Sequence, residues 1–138
     1  EKATIKNLKK TLLMTAGAAV QKYATALENE QELLMNIADM LIEVYICEST
    51  WLRTEKLVQQ KGEDACKIQI DISHVYLADA VDRISKAAKE AIQTFATGDE
   101  QKMLLLGLKR FTKIDSFNAK EARRRIADYL LQKNEYSF

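Results

Sequence analysis

The chain has 138 residues, with 21 basic and 20 acidic side chains and a formal net charge of +1. A charge this small, with no nucleic-acid motif, argues against nucleic acid as a partner. Proline is absent and glycine occurs only four times, so the residues that interrupt helices or turn strands are scarce. The length fits one domain over residues 1–138, and the class is all-α.

The charges are sorted along the chain. Residues 1–27 carry a net +4, residues 28–100 a net −8 and residues 101–138 a net +5. This distribution predicts that the basic terminal helices lie against an acidic middle. The alternative is a basic surface that contacts phosphates or anionic lipid.

The first predicted helix runs from about Thr4 to Leu27. Gly17 lies inside it and would destabilise a lone helix by up to ~1 kcal/mol relative to alanine. We therefore interpret Gly17 as a point of close helix approach. Asn29 is predicted to cap the second helix, whose first turn is acidic.

Two long helices follow, and they are the most informative feature of the chain. Apolar residues recur at alternating steps of four and three, which places them on one stripe of each helix. The helices run from about Glu30 to Gln60 and from about Glu63 to Thr97, with Gly62 closing the first. This pattern predicts an antiparallel helical hairpin. The seam of the first helix is Leu33, Ile37, Met40, Val44, Cys47, Trp51, Thr54 and Val58; that of the second is Ile70, His74, Leu77, Val81, Ile84, Ala88, Ala91 and Phe95.

Two shorter helices complete the prediction. The fourth runs from Asp99 or Glu100 to Ile114 and is rich in leucine. Asn118 with Glu121 three residues later predicts a capping box for the last helix, which ends near Lys133. The expected fold is an up-and-down helical bundle of about five helices, built on the long hairpin.

Cys47 and Cys66 are the only cysteines. In the hairpin they would lie roughly 16 Å apart along the helices, too far for a disulfide. Free, packed thiols fit a reducing compartment, so we expect a cytoplasmic protein. The longest apolar run, Met103 to Leu108, is too short to span a bilayer. The chain starts with Glu1, and helical register begins within a few residues, so we interpret it as a fragment of a longer chain.

His74 is the only histidine, with Asp71 three residues before it. A carboxylate-bridged di-iron bundle needs two such pairs, so no metal site is predicted. Counting from Gly62 places His74 opposite Trp51, and we expect it to pack on that ring with its nitrogens bonded locally. Glu48 interrupts an apolar face, and we predict an internal ion pair between Glu48 and Arg83. Neither residue is predicted to be catalytic, and no cofactor-binding residue is identified.

The last part of the chain is basic. A solvated face is the default interpretation, and contact with an anionic headgroup or a membrane surface is the alternative. The basic residues are Lys109, Arg110, Lys113, Lys120, Arg123, Arg124 and Arg125.

Several segments resemble the C-terminal extension of bacterial acyl-CoA dehydrogenases of the very-long-chain type. The resemblance covers essentially the whole chain, through packing and polar positions without a catalytic motif. The segments are Asn7–Lys10, Thr15–Lys22, Asn36–Tyr45, Glu48–Leu57 and Asn134–Phe138.

This resemblance implies a part of an enzyme. In the family, a flavin-binding core holds FAD, and a catalytic glutamate removes the proton α to the thioester while hydride passes to the flavin. No segment of that core matches here, so no active-site residue is carried over. The resemblance implies an accessory domain for packing, dimerisation or docking onto the core, with weak membrane contact as a further option.

A second hypothesis belongs to another class. The chain could be a free-standing helical adaptor that binds a partner helix or a membrane surface through the apolar fourth helix. Under the first hypothesis, the isolated chain should be colourless and inactive. A long reading frame upstream would favour the first.

Overall fold

The computed structural model describes all residues from Glu1 to Phe138, and these contain helices and no β-strand. The all-α prediction with five helices is therefore confirmed. The α-helices are α1 (Lys2–Tyr23), α2 (Gln31–Lys61), α3 (Lys67–Phe95), α4 (Gly98–Phe111) and α5 (Ala119–Lys133); short 3-10 helices occupy Ala24–Asn29 and Asp64–Cys66.

The antiparallel hairpin of α2 and α3 is the largest packing unit of the fold. Gly62 ends α2 with a φ of 85°, a conformation that glycine adopts readily, and its N–H donates to the Val58 carbonyl at 2.8 Å. Every residue of the two predicted seams is buried or half-buried. The hairpin and its turn are thus confirmed.

The helix α3 lies at the centre of the bundle, because it contacts each of the other four α-helices. Its alanines Ala80, Ala88 and Ala91 have no exposed surface. Small side chains let neighbouring helices approach closely, so one helix can be surrounded by four. Larger side chains fill the remaining space, and those buried completely include Leu8, Leu33, Met40, Ile84 and Ile92.

The connection from α1 to α2 differs from the prediction. Helix α1 ends at Tyr23, because Ala24 adopts a φ of 47° and the chain tightens into the 3-10 helix Ala24–Asn29. Asn29 therefore lies inside a helical turn and does not cap α2. Glu30 occupies the capping position without a side-chain hydrogen bond.

The close approach between helices involves a different glycine from the one predicted. A Cβ atom added to Gly17 would have no neighbour within 4 Å, whereas one added to Gly107 would lie 2.9 Å from the Met14 sulfur. Helices α1 and α4 therefore approach at Gly107. The interpretation of Gly17 was wrong, because its face of α1 points to solvent.

Half of the predicted capping box of the last helix is confirmed. The backbone N–H of Glu121 donates to Oδ1 of Asn118 at 3.2 Å. The Glu121 carboxylate contacts Lys120 and Arg124 instead of returning to the Asn118 backbone. Helix α5 ends at Lys133, and Asn134 then takes a left-handed conformation that closes the helix.

We expect opposite effects of alanine substitution at Gly17 and Gly62, which are both exposed. We expect Gly17→Ala to raise the free energy of unfolding of the 138-residue chain by up to ~1 kcal/mol, because alanine is the better helix former at an unobstructed position. Gly62→Ala should lower it by about 1 kcal/mol or more, because a Cβ is strained at this positive φ. Urea unfolding followed by circular dichroism measures both, and a destabilised Gly17→Ala would contradict the placement of Gly17.

Candidate functional site

The polar residues singled out by the sequence form links between helices. His74 is half-buried on α3, and its Nε2 lies 3.1 Å from Oε1 of Glu1. Its ring packs edge-on against Phe117, with centroids 5.6 Å apart. The aromatic partner is thus Phe117 instead of the predicted Trp51. The first turn of α1 explains the difference, since Glu1 contacts His74 while the next residue, Lys2, lies over the Trp51 ring.

The acidic group facing Arg83 is Glu43. Arg83 donates from Nε and Nη2 to the two carboxylate oxygens of Glu43, at 2.7 and 2.9 Å. The Tyr76 hydroxyl donates to the same carboxylate at 2.8 Å. These hydrogen bonds, led by that of Arg83, hold the pKa of the Glu43 carboxyl below its ordinary value of 4.5.

The predicted pair between Glu48 and Arg83 is therefore wrong. Glu48 instead pairs with Lys9 of α1. The physical reason is that the two glutamates point in different directions around the axis of α2. Glu43 and Glu48 lie five residues apart, and they flank the α2 seam on opposite sides, one towards α3 and the other towards α1.

Helix α5 is joined to α3 by two arginine–carboxylate contacts. Arg125 donates from Nε and Nη2 to the two oxygens of Asp71, at 2.8 and 2.7 Å. Arg123 donates to Asp79 at 2.8 Å. The Arg125 hydrogen bonds lower the pKa of the buried Asp71 carboxyl. This pairing confirms the expectation that a basic terminal helix lies against the acidic hairpin.

Other basic residues near the end of α4 make no ion pair with the chain. These residues are Lys109, Arg110 and Lys113. Between them in the sequence, the ring of Phe111 lies under the ammonium group of Lys10 of α1. The apolar side chains of α4 mostly point inward, with Leu104, Leu105 and Leu108 packed on the core. Only Met103 and Leu106 of this helix are large exposed apolar residues.

Both cysteines are free and buried, as predicted. Burial, reinforced by the nearby Glu43 carboxylate, raises the pKa of the Cys47 thiol to about 12. A thiol held in its protonated form is a poor nucleophile. No three histidine, cysteine, aspartate or glutamate side chains converge as a metal site would require. None of the helices has the length and apolar composition needed to cross a membrane.

Helix α2 has a second apolar surface that was not predicted from the sequence. Opposite the buried seam, the helix carries six large apolar side chains that are exposed. We call this surface the outer face of α2; it consists of Met35, Leu41, Ile42, Tyr45, Ile46 and Leu52. The sequence feature that could have predicted this surface is the set of hydrophobic residues between the seam positions, which gives α2 an apolar side opposite the seam.

The fold and these contacts define an all-helical bundle domain in which the conspicuous charged residues join helices and one helix exposes an apolar face. A family model described as "Acyl-CoA dehydrogenase, C-terminal domain" matches residues 7–110. The chain belongs to this family.

Two relatives agree with this assignment. A "Probable acyl-CoA dehydrogenase" of Bacillus subtilis (strain 168) is 33% identical over 137 residues, which are 99% of this chain and 23% of the relative. The crystal structure of an acyl-CoA dehydrogenase complexed with FAD from Bacillus anthracis is 36% identical and superposes with a TM-score of 0.97, over 99% of this chain and 24% of that one. The chain thus spans about a quarter of each.

The Glu43–Arg83 contact predicts a pH-dependent stability. Because the folded-state pKa of Glu43 is lowered, its contribution is present above the unfolded-state pKa and is lost as the pH falls through the folded-state value. We expect Arg83→Met to lower the free energy of unfolding at pH 7 by about 1 kcal/mol, allowing for the exposed guanidinium. The loss should shrink towards pH 3. Lys86→Met, which removes an exposed cation without an ion pair, is the control.

Buried thiols should resist modification. We expect Cys47 and Cys66 of the native 138-residue chain to react with iodoacetamide at pH 8 far more slowly than in the unfolded chain, because both side chains are buried and the Cys47 thiol stays protonated. Mass spectrometry of tryptic peptides measures each rate. Rapid alkylation of Cys47 under native conditions would contradict this packing.

Proposed function

We propose that residues 1–138 are a single accessory domain of an FAD-dependent acyl-CoA dehydrogenase, with a structural and docking role and no catalysis of their own. The observation that carries the proposal is the family match over residues 7–110 combined with coverage of only about a quarter of the relatives. The parent is then an oxidoreductase of fatty-acid oxidation. Its flavin and its catalytic glutamate belong to the remaining three quarters.

The contacts of the domain support this division of labour. The carboxylates that could act as bases, Glu43, Glu48 and Asp71, are each held by a cation from another helix. The nucleophilic candidates Cys47 and Cys66 are buried. These groups stabilise helix packing. Glu43 also lines a groove between α2 and α3, but both of its carboxylate oxygens are held by Arg83, and Tyr76 donates to one of them.

The partner we propose is the flavin-binding core of the same parent chain. Two buried free thiols also suit a reducing cytoplasm. Self-association of the parent through this domain, and weak contact of its basic end with a membrane surface, stay predictions. The adaptor alternative receives less support, because α4 directs most of its leucines into the core instead of outward.

The test compares the full parent chain with the 138-residue chain. We expect the parent to show a flavin absorption band and to reduce an electron acceptor with an acyl-CoA. The 138-residue chain should be colourless and inactive. A yellow, active 138-residue chain would refute the assignment of chemistry to the core, and a full parent chain without flavin would refute the assignment to an FAD-dependent enzyme.

A further inference from the structure

We propose that the outer face of α2 is the surface on which the upstream part of the parent chain docks, through an apolar, uncharged surface of the flavin-binding core. This inference rests on the proposed function, and it names the contact surface that the family assignment leaves open. The outer face is apolar, but a helix face left in water is normally charged or polar.

The outer face is free of charge along about five helical turns, from Met35 to Leu52. The acidic residues within this stretch are Asp39, Glu43 and Glu48. Glu43 and Glu48 pair with α3 and α1, and Asp39 lines the same groove between α2 and α3 as Glu43. Asp39 is exposed at the edge of the outer face beside Ile42, so the charge of this stretch lies at the rim of the face and its centre is apolar.

The neighbouring helix shows what a solvated face of this bundle looks like. The exposed side of α3 between residues 82 and 90 is almost wholly charged, with Asp82, Arg83, Lys86, Lys89 and Glu90. Helix α2 belongs to the same hairpin and has similar length, yet between Met35 and Leu52 its exposed side is mostly hydrophobic. The difference indicates that α2 is a central helix, with α1 and α3 on one side and a further protein surface on the other.

Two arguments identify the protein surface that covers the outer face of α2: the presence of a tethered partner in the same chain, and the charge of the hairpin. In the relatives, about three quarters of the chain lies outside the matched segment, so a tethered partner is present at high effective concentration. A second copy of this domain is a poorer fit. Residues 28–100 carry a net charge of −8, of which Lys9, Arg123 and Arg125 compensate three, so two copies facing each other through α2 would still bring two acidic hairpins together.

Hydroxyl-radical footprinting of the full parent chain tests the inference with matched internal controls. Met35 and Tyr45 lie on the outer face with 65% and 70% of their surface exposed in the domain, whereas Met103 and Tyr136 lie elsewhere with 74% and 82% exposed. Each pair shares its chemistry and nearly its exposure. We expect Met35 and Tyr45 to be oxidised at least about fivefold more slowly than their counterparts, because only they are covered.

A photo-crosslinker identifies the occupant. With p-benzoylphenylalanine in place of Tyr45, we expect mass spectrometry of the digested one-chain band to find peptides that join position 45 to upstream segments. Tyr136 replaced in the same way is the control and should give few. Crosslinked species of two-chain mass at position 45 would overturn the proposal in favour of a second copy.

Equal oxidation of Met35 and Met103, and of Tyr45 and Tyr136, in a flavin-bound, active parent would also overturn it. That result would leave the proposed function intact, because the flavin and activity measurements do not depend on which face docks. Loss of flavin from the full parent chain would instead count against the proposed function itself. The two failures are therefore distinguishable.

Discussion

The packing of α2 against α3 along their apolar seams is the interaction on which the rest of this structure depends. The seams keep one stripe of each helix in contact over many turns, and Gly62 reverses the chain between them. Each fully buried large aliphatic side chain contributes roughly 1.5–3 kcal/mol relative to an exposed one. Without this pairing, α3 would not present the surfaces that α1, α4 and α5 cover.

The ion pairs orient the outer helices more than they drive folding. Arg125 and Arg123 of α5 contact carboxylates of α3, and Lys9 of α1 contacts Glu48 of α2. Partly exposed pairs of this kind contribute little net free energy, but their geometry is directional. They fix which face of each outer helix packs against the hairpin. The basic segments at the two ends of the sequence therefore lie against the acidic middle segment in the fold.

Helix α2 is apolar on two sides. One side of α2 builds the bundle core, and its outer face carries hydrophobic residues where a solvated helix would carry charges. This arrangement suits a domain that works as part of a larger chain. Within the bundle, both thiols are buried, and the carboxylates of Glu43, Glu48 and Asp71 are paired with cations of other helices.

The helical class, the hairpin, the turn at Gly62 and the cap at Asn118 were predictable from the sequence, because seam periodicity and capping are local properties of the chain. The tertiary structure alone decided the partners. Arg83 meets Glu43 instead of Glu48, His74 meets Phe117 instead of Trp51, and the close approach falls at Gly107 instead of Gly17. These contacts depend on the rotation and position of α1, α4 and α5 around the hairpin, which one-dimensional spacing does not encode.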